Sequence, residues 1–167
     1  MKWLRLFKHR GVDETDVTRA LGAGALERLE ARVAKSEAGH SGEIRVCVEA
    51  GLPLSYLRRD AVPRERAVMM FAKLRVWDTE HNNGVLIYLL LAEHAIEIVA
   101  DRGVARHVGG AEWQAIMAAM RAAFQAGAFE AGLNQAVDAV HDLLQRHYPL
   151  APGQVNDNEL PNAPYVG

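Results

Sequence analysis

The pattern of hydrophobic and polar positions first picks out two runs that meet near the middle of the chain. Behind Asn83-Gly84, the residues Val85-Leu86-Ile87-Tyr88-Leu89-Leu90-Leu91 form an apolar run without a break. A strand of this kind is covered on both faces and belongs at the centre of a sheet. After Ala92-Glu93-His94, a second run sets Ile96, Ile98 and Ala100 on one face and Glu97 and Val99 on the other. So few residues separate the runs that antiparallel pairing in a hairpin is expected, although the connection lacks Asn-Gly or Asp-Gly.

Elsewhere the helical period dominates. Leu26, Leu29 and Val33 recur among charged residues, which predicts a helix from about Ala23 to Ala38, ending at Gly39. The clearest strand alternation follows in Glu43-Ile44-Arg45-Val46-Cys47-Val48-Glu49. Pro63 opens a helix built on Ala67, Met70, Phe71 and Leu74. Beyond Asp101-Arg102-Gly103, Trp113, Ile116, Met117, Met120 and Phe124 predict a helix stopped by Gly127. A last helix carries Phe129, Leu133, Val137, Val140 and Leu144 on one face. The order gives an α/β fold, a three-layer α/β/α sandwich around a small mixed sheet with a central β-hairpin.

The 167 residues suit one domain with a substantial core. We divide them into a basic amphipathic segment at 1–21, a folded domain at 22–148 and a proline-rich extended tail at 149–167. With 19 Lys and Arg against 21 Asp and Glu, the net charge of -2 provides no basic field, so nucleic acid is not the expected partner. The lone Cys47 sits in a strand and reads as a small buried thiol. No apolar run reaches the ~20 residues needed to span a bilayer, and the start lacks the apolar core of a signal peptide. A cytoplasmic location is expected, peripheral at the membrane if Met1 to Arg10 lies on its surface. In that stretch Lys2, Arg5, Lys8 and Arg10 interleave with Trp3, Leu4, Leu6 and Phe7, a composition suited to an anionic surface.

Strand directions show where polar groups meet. A strand, a crossover helix and a second strand in one sheet run parallel, so Glu43 and Asn83 begin at the same edge. The hairpin then returns Asp101 to that edge. Three segments converge there: His40, Ser41 and Glu43; Asp78, Thr79, Glu80, His81, Asn82 and Asn83; and Asp101 with Arg102. Carboxylates, amides and a hydroxyl together are the ligands of hard cations such as calcium or magnesium. The ordinary structural roles are that Asp78 and Asn83 shape turns and Asp101 caps the next one. The seven His residues show no closely paired metal spacing, and no glycine-rich phosphate loop occurs.

Several words of the sequence resemble the TPM domain family. Ser41-Gly42-Glu43-Ile44-Arg45-Val46 resembles its opening strand, Asn83-Gly84-Val85-Leu86-Ile87 its central strand, and Ile98-Val99-Ala100-Asp101-Arg102-Gly103 its third strand and turn. Phe124 to Leu133 resembles the segment joining its last two helices, and Asn158-Glu159-Leu160-Pro161-Asn162 the ending of short bacterial members without a transmembrane helix. The resemblance implies a mixed sheet between helices and an acidic site at Asp78, Asn83 and Asp101. Some members are described as acid phosphatases, some bind calcium or magnesium, and others serve membrane-protein complexes as accessory factors. Here Arg102 adds a positive charge beside the acidic positions. The expected function is an accessory or interaction domain that binds calcium or magnesium and serves a protein partner, membrane-associated or not. The alternatives are a metal-assisted acid phosphatase, with Arg102 or His81 stabilising the phosphate, and a membrane-surface module using Met1 to Arg10.

Overall fold

The computed structural model describes residues 2–167, so Met1 of the basic segment lies outside the described residues. The uninterrupted apolar run forms β2 (Gly84–Leu90), every residue of it buried. β1 (Glu43–Glu49) runs parallel beside it, with Glu43 opposite Gly84. β3 (Ala95–Ala100) returns antiparallel on the other side, with Val85 opposite Ala100. A two-residue β4 (Tyr165–Val166) adds to β1 in parallel, giving the order β3-β2-β1-β4. The hairpin connection is a 3-10 turn, Leu91–Glu93, closed by His94 at φ 49°; this left-handed residue reverses the chain without a tight two-residue loop.

Helices cover both faces. Ahead of β1 come α1 (Lys2–Arg10), α2 (Glu14–Leu21) and α3 (Ala25–Glu37). Asp13 caps α2 by accepting from Thr15 N–H at 2.8 Å and Asp16 N–H at 3.3 Å, which explains why a helix starts there. A short α4 (Leu54–Arg58) lies within the loop expected after β1, and α5 (Pro63–Lys73) crosses to β2. After β3 follow α6 (Arg102–Ala105), α7 (Gly110–Gln125) and α8 (Phe129–His147).

One sheet face, carrying Ile44, Val46, Val48, Val85, Ile87 and Leu89, packs against α2, α3, α7 and α8 in the larger core. The opposite face, with Cys47, Leu86, Tyr88 and Leu90, packs against Ala67 and Met70 of α5 and Leu160 of the tail. The chain is thus an α/β/α sandwich around a mixed sheet, as the order of elements predicts. Val17 and Leu21 of α2 are buried in the larger core. Among the described residues no helix is long and apolar enough to cross a membrane.

Candidate functional site

The beginnings of β1 and β2 and the end of β3 form one edge of the sheet, and backbone hydrogen bonds lace it together. Asp101 N–H donates to Gly84 O at 2.8 Å and Gly103 N–H to Asn82 O at 3.0 Å. Both glycines are required by close approach. A Cβ on Gly84 would stand 2.0 Å from Val76 O, and one on Gly103 would stand 2.3 Å from Asn82 O.

Asn83 is fully buried at this edge. Its backbone N–H donates to Thr79 Oγ1 at 3.1 Å, and its Nδ2 donates to Ser41 O at 3.0 Å and to Ser41 Oγ at 3.4 Å. The remaining oxygen, Oδ1, is buried without a partner among the described residues. Asp101, 8% exposed, accepts from Arg102 N–H at 2.7 Å through Oδ1 and so caps α6, while Oδ2 is buried without a partner among the described residues. Two unpaired acceptors on neighbouring strand ends are costly unless something else donates to or coordinates them. Tyr148, just past α8, joins the same edge: its hydroxyl lies 2.9 Å from where a Cβ on Gly103 would stand. Burial pushes the Tyr148 phenol up; the Arg106 cation opposes the shift and the charge of Asp101 adds to it.

The side chains of the other expected members are paired with neighbours, turned to the surface or set in turns. Asp78 is exposed and paired with Arg75. Glu80 gives its backbone N–H to Glu159 Oε2 at 2.9 Å, His81 and Arg102 are exposed, and Asn82 turns the chain at φ 51°. Among the described residues no group of three or more His, Cys, Asp or Glu gathers as a metal set. A cation here would meet one carboxylate, that of Asp101, beside the amide oxygen of Asn83, a donor set of the hard type.

His40 is buried and turned from this edge. Its Nδ1 bonds to Gly42 O at 3.0 Å and its Nε2 to Ser36 Oγ at 2.9 Å; His141 Nδ1 meets the same hydroxyl at 3.0 Å. Because a carbonyl only accepts, Nδ1 carries the proton, Nε2 accepts from Ser36, and His141 donates. Burial lowers His40 to about 4, so the ring is neutral near pH 7.

Glu43 faces the tail. Its Oε2 accepts from Leu160 N–H at 3.0 Å, and burial raises its carboxyl. Glu37, at the end of α3, accepts from Ile44 N–H at 2.8 Å and is pushed up to about 8 by burial, with the charge of Glu43 adding. Among the described residues its Oε2 is buried without a partner, as is Oδ1 of Asn162 beside it. Burial outweighs the hydrogen bonds from Ile44 N–H and the Asn162 side chain, both of which favour the charged form. The sequence carried a signal for Glu37: it continues the Leu29, Val33 series at i+4 and so falls on the buried stripe of α3. Tyr148 and Asn162 carried no such signal, since each comes to its place from beyond the last helix.

The TPM domain family matches residues 15–143 of the sequence. The chain belongs to the TPM domain family. Its fold is shared with the NMR structure of the BA42 protein from the psychrophilic bacterium Bizionia argentinensis, at TM-score 0.75 and 26% identity, over 87% of this chain and 94% of that one. Among curated proteins none matches the sequence. The TPM match takes in β1, β2 and β3, α3 and most of α8, and with them Asn83 and Asp101; Tyr148 and the tail with β4 lie beyond it.

Proposed function

We propose that this TPM domain is an accessory or interaction module that binds a hydrated divalent cation, calcium or magnesium, at the edge formed by Asn83 and Asp101, and that the bound ion completes the surface offered to a protein partner. The observation that carries the reading is the pair of buried, unpartnered oxygens, Asn83 Oδ1 and Asp101 Oδ2, on neighbouring strand ends. One carboxylate among neutral oxygens suits an ion that keeps part of its water shell, as magnesium does, or a weak calcium site. Ser41 Oγ and the Tyr148 hydroxyl would orient that water. Metal-assisted acid phosphatase activity ranks below the binding role. Of the two chemically conspicuous nucleophiles, Cys47 is buried with its thiol pushed up by desolvation, and Ser36 is engaged by His40 and His141 in the α3–α8 groove.

Calorimetric titration of the full chain with calcium and with magnesium tests the reading. Saturable binding is expected in the wild type, weakened at least about tenfold in Asp101→Asn and retained in Asp78→Asn, whose carboxylate is occupied by Arg75. No saturable binding in the wild type, or unchanged binding in folded Asp101→Asn, overturns it.

A further inference from the structure

Helix α1 is attached to the domain by its polar side. Arg5 donates from Nε to Glu93 Oε1 at 2.6 Å, from Nη1 to Asp60 Oδ1 at 3.0 Å and from Nη2 to Ala61 O at 2.7 Å. One turn later His9, 7% exposed, accepts from Leu52 N–H at 2.9 Å through Nδ1. The ring proton therefore sits on Nε2, which donates to Glu93 Oε1 at 2.9 Å. Residues 5 and 9, at i and i+4, thus define the inward face.

The outward face is apolar. Trp3, Leu4 and Phe7 are 73%, 71% and 68% exposed, and their spacing of i, i+1 and i+4 puts them on one side. This reverses the usual arrangement, in which a surface helix turns its apolar stripe to the core and its charges to water. Single exposed apolar residues need no explanation, but three large ones grouped on a short helix mark an interaction surface. The face extends onto α4, where Leu54 is exposed, and a groove of about 720 Å³ between α1 and α4 opens beside Trp3 and Leu54.

Cations edge this face. Lys8 and Arg10 of α1 and Arg58 of α4 are exposed. The ion pairs of the region run instead through Arg5 and His9 to Asp60 and Glu93, so among the described residues these three charges are not neutralised. Trp, Leu and Phe bordered by Lys and Arg is the composition that lies in the headgroup region of an anionic bilayer. A second protein chain fits less well. A stable interface buries about 800 Å² on each partner, more than three side chains of a nine-residue helix offer, whereas a bilayer accepts a small patch and adds attraction for each cation.

We propose that α1, held rigidly by Arg5 and His9, is a docking element for an anionic lipid surface, with Trp3, Leu4 and Phe7 entering the headgroup region and Lys8, Arg10 and Arg58 facing lipid phosphates. The proposal is independent of the cation site. It goes beyond the composition of the first ten residues, because it assigns opposite tasks to the two sides of the helix and adds α4.

The test is co-sedimentation of the full chain with vesicles of phosphatidylcholine alone and of phosphatidylcholine mixed equally with phosphatidylglycerol. The wild type pellets with the mixed vesicles and stays in solution with the neutral ones. The variant Trp3→Ser/Leu4→Ser/Phe7→Ser and the variant Lys8→Glu/Arg10→Glu/Arg58→Glu each lose at least about tenfold in vesicle affinity. All of these side chains are exposed, so both variants keep the melting temperature of the wild type. A second readout needs no change in α1: in a Trp77→Phe/Trp113→Phe background, Trp3 emission shifts to the blue when mixed vesicles are added. Failure of the wild type to pellet, equal pelleting of the apolar variant, or an unmoved Trp3 spectrum overturns the proposal. Self-association that the apolar variant abolishes, seen without vesicle binding, also overturns it and assigns the face to a second copy of the chain.

Discussion

Toward α3 and α8 the sheet presents Ile44, Val46 and Val48 from β1 and Val85, Ile87 and Leu89 from β2, and nothing polar. Toward α5 and the tail the same two strands present Glu43, Arg45 and Glu49 with Cys47, Leu86, Tyr88 and Leu90, and these too are buried. The strand side chains of the first face are packed by shape, and an apolar set of similar volume would serve in their place. The second needs named partners, because a buried charge without one costs several kcal/mol (of order 3–5). Glu49 takes Nε of Arg66 at 2.7 Å and the hydroxyl of Tyr88 at 2.8 Å. Arg45 donates to Pro161 O at 2.8 Å and also to Ala163 O. Glu43 takes Leu160 N–H. Specific pairing on the polar face thus explains why α5 and a tail with almost no regular structure lie where they do.

Removing one partner from the polar face has the largest expected effect. Arg66→Met leaves the Glu49 carboxylate buried with only the Tyr88 hydroxyl, and is expected to cost about 3–5 kcal/mol in urea unfolding. The double variant Glu49→Leu/Arg66→Met is expected to recover most of that loss, since a well-packed apolar pair replaces a buried ion pair at little cost. A small effect of the single variant would mean that water reaches Glu49 and that the two faces do not differ in kind.

The acid at the end of α3 makes stability depend on pH. Glu37 is held at about 8 against an ordinary value of 4.5, so the folded chain binds its proton more tightly than the unfolded chain does. Its contribution to stability is complete below 4.5 and is lost as pH rises through about 8. Glu43, also raised, acts with the same sign. His40, lowered to about 4 from 6.5, acts with the opposite sign, but only below 6.5. Between pH 6.5 and 8 the slope is therefore the acids' own, at most about 1.4 kcal/mol per pH unit for Glu37. Glu37→Gln keeps an oxygen to accept from Ile44 N–H but cannot titrate, and is expected to flatten that slope, read as the urea midpoint at the two ends of the window. An unchanged slope would show that Glu37 is ionised in the folded chain.

These groups also show what the sequence discloses and what it hides. The alternation in Glu43 to Glu49 and the unbroken run from Val85 to Leu91 state the strands, and the rule for parallel crossovers puts Asn83 and Asp101 at one edge, as observed. Asp78 sits close to Asn83 in sequence, yet Arg75, three residues before it, holds it at the surface; local pairing of that kind leaves no trace in strand direction. The polar side of β1 reads like a solvent face, because the partners that bury it, Arg66 and the residues around Pro161, lie far along the chain. Tyr148 reaches the edge only because Ser41 N–H bonds to its carbonyl at 2.9 Å, a contact between a loop and a helix end that no periodicity announces. The attachment of α1 through Arg5 and His9 was hidden for the same reason: its composition is readable, but which side faces inward depends on Glu93 and Leu52.

The smallest expected effect lies on the apolar face. Ile87, fully buried in the larger core, loses one methyl group in Ile87→Val, and the neighbouring side chains can partly close on the space. The expected cost is about 1 kcal/mol, with no change in its dependence on pH or salt, because nothing that titrates is disturbed. Arg66→Met removes more atoms but little apolar contact, so comparing the two variants separates volume from charge. If Ile87→Val cost as much as Arg66→Met, packing rather than pairing would set the tolerance of both faces. If it costs about a third as much and is flat across pH, the two sides of one sheet obey different rules although both exclude water.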